Sequence, residues 1–341
     1  MKIKIYSSSL LFAILFFTAL SYAQERVKLA QSGMKFLSIN ADARMIGLGE
    51  AVVSVENNEA SSLYYNPAAG SRQRALFSGN LGIMNFIADI KYTTAALSFA
   101  PMEAKYGVIG FAFQNVDYGE FIRTVRAGDS YDSLGTYKPT AFYAGVSYSY
   151  EISELFSVGG MVKYVYQDLG THPYAFTLDN LNNRIYKNKK FDKNVIAYDF
   201  GVLYKTGFKS LTLGIVIRNF SPEIEYVKES FQLPLTMKIG LSMNVLDLYD
   251  IPSNEHSLLV SVNGTKPRDY KEQINFGLEY TAFSSLSLRF GYINPTDEQS
   301  YNFGVGLKFK DLGFDYSFSK WEVFDNVHRI SITFGSSLLG F

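Results

Sequence analysis

Three histidines, His172, His256 and His328, are the first candidates for chemistry in this 341-residue sequence. Acyl-transfer chemistry needs a nucleophile, a base and a group that orients the base. Ser331, three residues after His328, is the nearest approach to such a pair. An odd separation on a β-strand puts the two side chains on opposite faces, so they cannot pass a proton between them. With no cysteine and no His-x-x-x-His spacing, no zinc site can be read. The loop acids Asp129, Asp132 and Asp179 lack the ligand spacing of a calcium loop and read as a solvated face. No catalytic residue, metal or cofactor is therefore expected, and the chain does not read as an enzyme.

The remaining chemistry is charge that must be positioned by strands. Lys2 and Lys4 precede an apolar run from Leu10 to Leu20 and then Ser21-Tyr22-Ala23, which predicts a signal peptide over 1–23 cleaved before Gln24. The apolar run is too short to span ~30 Å of hydrocarbon. Zero cysteine excludes a disulfide scaffold and a lipoprotein anchor. Lysine plus arginine equals aspartate plus glutamate at 32 each, so there is no basic field for nucleic acid. The sequence holds 25 Tyr and 28 Phe beside one Trp, and its mean hydropathy is +0.00. A membrane barrel predicts this combination, because each strand has one apolar and one polar face while aromatics gather at the two interfaces.

Period-2 alternation is the strongest signal. Tyr301, Phe303, Val305, Leu307 and Phe309 alternate with Asn302, Gly304, Gly306 and Lys308. Leu233 to Met243 alternates with Thr236, Lys238, Gly240 and Ser242, and Leu286, Leu288, Phe290 and Tyr292 alternate with Ser287, Arg289 and Gly291. Strands are expected at 74–84, 89–100, 105–116, 139–150, 155–167, 194–206, 209–219, 233–246, 255–264, 272–282, 285–293, 300–309, 311–319 and 327–336. That is about 14, an even number, and most reach the ~9–11 residues a tilted membrane strand needs. Alternate connections are mostly short, as periplasmic turns should be, with 247–254 longer, and the others, apart from a brief one near 85–88 and notably at 117–138 and 168–193, read as longer outer loops. The fold class expected is all-β: a transmembrane antiparallel barrel over 74–341, inserted in outer-membrane lipid. A final amphipathic strand followed by a terminal Phe341 resembles the signal read by the barrel-assembly machinery.

Residues 24–73 do not read as barrel. They carry Phe36-Leu37, Ala43-Arg44, Gly47-Leu48-Gly49-Glu50-Ala51, acidic Glu56 to Glu59, and Tyr64-Tyr65-Asn66-Pro67-Ala68. This ordered series, over about residues 34–70, resembles the start of the PorV/PorQ family of Bacteroidetes, with Leu48 where the family usually has Met. The family is similar in fold to FadL fatty-acid channels. The resemblance implies a FadL-like barrel whose N-terminal hatch carries Phe36, Leu37, Arg44, Gly47, Gly49, Tyr65, Asn66 and Pro67. It also implies a role in the type IX secretion system, with the translocon and cargo C-terminal domains as partners. PorV-like members receive cargo, whereas PorQ-like members anchor a surface partner. The fold kinship keeps a second function open, passive uptake of hydrophobic or small solutes. Inside a barrel Arg44 needs a counter-charge, and Asp199, Glu279 and Asp315 all fall on lumen faces. A docking role would use the aromatics Tyr118, Phe121, Tyr131, Tyr174, Phe176 and Tyr186 of the long outer segments.

Overall fold

The computed structural model describes residues 32–336 apart from 128–129, 182–183, 227–229, 250–254, 297–298 and 322–323. The signal segment and Phe341 lie outside the described residues. Fourteen antiparallel strands close into one barrel. In chain order they are β1 (Phe77–Asn85), β2 (Lys91–Phe99), β3 (Val108–Asp117), β6 (Thr140–Glu151), β7 (Phe156–Leu178), β8 (Arg184–Lys205), β9 (Thr212–Phe220), β12 (Thr236–Asn244), β13 (His256–Pro267), β14 (Gln273–Ala282), β15 (Leu286–Asn294), β16 (Tyr301–Phe309), β17 (Leu312–Ser319) and β18 (Val327–Gly335). Outside the barrel sheet lie β4 (Phe121–Ala127), paired with β5 (Ser130–Tyr137), and β10 (Ile224–Glu225), paired with β11 (Ser230–Phe231). Closure joins β1 to β18, with Leu81 opposite Ile332, and it leaves no unpaired sheet edge in lipid.

The pleat sorts side chains as alternation requires. On β16 Tyr301, Phe303, Val305 and Leu307 are exposed on the outer wall, while Asn302, Gly304 and Gly306 are buried within. On β15 Leu288 is 51% exposed and the adjacent Arg289 only 8%. In lipid, that outer face meets hydrocarbon instead of water.

The long outer segments depart from the expectation of loops. Phe121–Ala127 and Ser130–Tyr137 pair as β4 and β5, and β7 and β8 stay paired from the barrel out to Leu178 and Arg184. Continued pairing satisfies backbone N–H and C=O groups that irregular loops would leave to water. A register shift after Asp168, at Gly170 with φ of +89°, bends the β7–β8 ribbon where it leaves the barrel.

Residues 32–73 pack inside the barrel. They fold as a 3-10 turn at Lys35–Ser38, a short helix α1 (Ala43–Gly47), and two further 3-10 turns at Ala60–Tyr64 and Pro67–Gly70. Asp42 caps α1 by accepting the Met45 N–H at 2.8 Å. Phe36, Leu37, Leu63 and Tyr64 form one apolar cluster with the wall residues Met84, Tyr92, Val116 and Val165. Leu48, Val52, Tyr65 and Ala68 form another with Leu203.

Candidate functional site

The lumen is filled by this N-terminal segment, and two features hold the segment to the wall. The first is backbone contact. Gly49, itself at φ +59°, lies so close to Gly291 of β15 that a Cβ on Gly291 would collide with the Gly49 nitrogen. On the opposite wall a Cβ on Gly159 of β7 would stand 2.6 Å from the Ala68 nitrogen. Glycine at these wall positions admits the plug's main chain to van der Waals distance. Asn66 completes that seat: its Oδ1 accepts the Ala68 N–H at 3.0 Å and its amide donates to Val53 O at 2.8 Å.

The second feature is charge. Arg44 of α1 grips Glu279 of β14 with two bonds, Nη2 to Oε1 at 2.9 Å and Nε to Oε2 at 3.1 Å. Arg289 of β15 also bonds Glu279, and its Nη1 reaches Asp315 of β17 at 2.6 Å. Two cations and two anions thus alternate in one buried chain. Of the three carboxylates weighed as partners of Arg44, only Glu279 touches it. Asp315 meets Arg289 instead, because α1 rests on β15–β18 with Arg44 turned toward β14. Asp199, on β8, is bound by Lys163 at 2.7 Å and stands 3.5 Å from Arg218.

Further anchors escaped the sequence reading. Glu50 accepts Lys238 Nζ at 2.6 Å, Glu59 accepts Lys308 at 2.7 Å, and Glu56 pairs with Lys205 at 2.9 Å. Their signal was present: Lys238 and Lys308 occupy polar positions of alternating strands, and a lumen lysine requires an acid. Lys35 also pairs with Asp269, in the connection between β13 and β14. Burial alone would raise the Glu50 carboxyl, but the Lys238 ammonium holds it below its ordinary value. Asp42 has no such direct partner, and burial pushes its carboxyl up to about 6.

The histidines have structural environments. His172 contacts Leu169 O at 2.7 Å and meets the Tyr137 ring edge-on, while His256 and His328 are hydrogen-bonded to the Tyr280 and Tyr316 hydroxyls. Ser331 faces inward and accepts the Ala43 N–H at 2.9 Å, whereas His328 is exposed on the outer face. Among the described residues no three His, Asp or Glu side chains are placed to share a metal ion.

Polar cavities lie beside the plug among the described residues. One, of about 170 Å³, lies toward the short turns and includes Arg44, Glu279, Arg289 and Lys308. Another, of about 190 Å³, lies toward the long hairpins and includes Asn40, Glu50, Arg218, Lys238 and Trp321.

The barrel is similar to solved structures at low identity. The CymD monoaromatic hydrocarbon channel aligns with a TM-score of 0.55 and 13% identity over 87% of this chain and 97% of its own. The Pseudomonas putida toluene transporter TodX gives 0.53 and 11% over 91% and 98%, and a Pseudomonas aeruginosa FadL homologue gives 0.50 and 12% over 85% and 97%. These likenesses establish a FadL-like barrel fold. No curated protein matches the chain. The sequence profile of the type IX secretion system membrane protein PorP/SprF matches residues 60–334, most of the barrel. That match names a type IX family other than the PorV/PorQ group that the N-terminal motifs resemble. By this match across most of its length, the chain belongs to the PorP/SprF family of type IX secretion system membrane proteins.

Proposed function

We propose that this barrel is a docking component of the type IX secretion system, which binds partner proteins on its extracellular hairpins while its lumen stays plugged. The observation that carries this reading is the fastening of residues 32–73 on several sides, through Arg44–Glu279, Glu50–Lys238, Glu59–Lys308 and Glu56–Lys205. Opening a path would break the two largely buried pairs, Arg44–Glu279 and Glu50–Lys238, and strand their charges in a poorly solvated lumen at several kcal/mol each. The hairpins, by contrast, present Ile122, Tyr131 and Ile185 exposed among charged residues, a mixture suited to protein contact.

In its finer form the proposal is PorV-like: the docked partner is the C-terminal domain of secreted cargo, handed over by the translocon. PorQ-like anchoring of a surface protein is the variant of the same role. Residues 24–73 acting as a hatch on a 74–341 barrel, cleavage after Ala23, and recognition of Phe341 by the barrel-assembly machinery belong to the same proposal. The alternative, passive uptake of hydrophobic or small solutes, draws on the fold shared with CymD and TodX. The charged wall of the outer cavity, with Arg218, Lys238 and Glu50, disfavours a hydrocarbon there.

Excision of residues 171–190 tests the docking role. Thr171 and Lys190 are cross-strand partners, so removal leaves the new ends adjacent. The shortened barrel should insert normally and lose partner capture in a pull-down. Undiminished capture would assign docking elsewhere.

A further inference from the structure

The outer cavity has an unbalanced set of polar groups. Several of its acceptors are taken: Glu50 receives Lys238 at 2.6 Å and Asn40 at 2.9 Å, and Asn275 Oδ1 receives the Thr265 hydroxyl at 2.7 Å. Asn219 Oδ1 likewise receives Lys163 at 2.5 Å. The amide donors are also taken, since Asn275 gives its N–H to Gly49 O and Asn219 gives its own to Pro234 O. Two donors are left over. Trp321 Nε1 has no hydrogen-bond partner and Arg218 Nε has only its 3.5 Å ion-pair approach to Asp199 Oδ2, although each residue is only 8% exposed. The Arg218 guanidinium has one long bond, from Nη1 to Asn40 Oδ1 at 3.5 Å, and stands 3.5 Å from Asp199. That approach is from Nε itself to Asp199 Oδ2, because the closer partners of Asp199, Lys163 at 2.7 Å and the Asn219 N–H at 2.8 Å, both lie on Oδ1, and at 3.5 Å it holds the guanidinium only loosely.

Charge is unbalanced in the same direction. Lys163, Arg218 and Lys238 face Asp199 and Glu50, which leaves one positive charge over. Arg329, which donates to Asn40 O at 3.2 Å beneath the cavity, adds to the excess. Unpaired donors and uncompensated cations are both costly away from bulk water. One chemical group corrects both: a carboxylate brings negative charge and two acceptor oxygens matched to a guanidinium fork.

We propose that this cavity is a binding site for a small carboxylate, held by Arg218 and by the indole N–H of Trp321. At about 190 Å³ it is smaller than the ~300–1,000 Å³ pockets of drug-sized ligands, so it admits a short-chain acid. The site is independent of whether the hairpins dock a partner.

Trp321 is the only tryptophan in the sequence, so its fluorescence in the full-length, detergent-solubilised barrel reports on the site directly. Acetate and propionate should change the emission saturably, and the neutral analogue acetamide should not. Arg218→Gln should weaken the carboxylate response about tenfold or more, and Arg218→Lys, which keeps charge without the fork, should fall between. Trp321→Phe keeps a ring to pack on Phe86 and lacks the N–H; calorimetry should show acetate binding weakened several-fold. Heat-modifiable gel migration checks that each variant folds, and if Arg218→Gln does not, the Trp321→Phe titration decides. The proposal is overturned by an equal response to acetate and acetamide, by binding of inorganic phosphate without acetate or propionate, or by carboxylate binding unchanged in the folded variants.

Discussion

Two buried charge clusters stand on different walls of the same lumen. Arg44, Glu279, Arg289 and Asp315 join plug to wall with alternating signs and close contacts. Lys163, Asp199 and Arg218 sit within β7, β8 and β9, carry an extra cation, and leave one guanidinium loosely held. Complete pairing makes the first cluster a fastening. Incomplete pairing below an open cavity makes the second a site that can still accept something. The difference teaches that buried charge in a barrel must be judged by what remains unpaired.

Glu279→Gln tests the fastening with the largest expected effect. It leaves Arg44 and Arg289 buried without their shared carboxylate, which should cost about 3–5 kcal/mol. Urea unfolding of the refolded barrel in vesicles measures it. Gly291→Val attacks the same wall sterically, where a Cβ would meet Gly49. A loss of about 1–3 kcal/mol is expected, with residues 32–73 becoming open to added protease. Protection equal to that of the unaltered protein would mean the plug is not seated by this contact.

Asp42, on the same helix as Arg44, sharpens the picture through pH. Its carboxyl is raised from 3.8 to about 6, so between those values the folded protein keeps a proton that the unfolded chain releases. Its contribution to stability should therefore grow as pH falls from 7 toward 5, by about 1 kcal/mol per unit below 6. Asp42→Asn should flatten that growth. Glu50, whose carboxyl is lowered, opposes it only at more acid pH, where its pairing with Lys238 is lost. Arg218→Gln should cost less than Glu279→Gln, about 1–2 kcal/mol, because the bonds it removes are long and Asp199 keeps Lys163 and the Asn219 N–H. A loss as large as that of Glu279→Gln would erase the distinction between the two clusters.

Alternation determined which side chains face outward on each strand, because period 2 is a local property that each strand declares independently, and strand length and number then pointed to a barrel. The lipid-facing Leu288 and inward Arg289 could be assigned without knowing any neighbour. The long hairpins were harder: residues 168–193 carry no clean apolar face in sequence, yet 168–178 and 184–193 are strand because β7 and β8 keep finding each other beyond the membrane. That Arg44 required a carboxylate followed from the cost of a lone charge in the lumen. That Glu279 is the partner, and Asp199 belongs to Lys163, depended on where α1 settles against the wall. The role of Gly291 was equally hidden, since a glycine in a strand gains its meaning only when another backbone is pressed against it. The surplus donors of Arg218 and Trp321 came last of all, because whether a polar group is satisfied depends on every residue that folding brings around it.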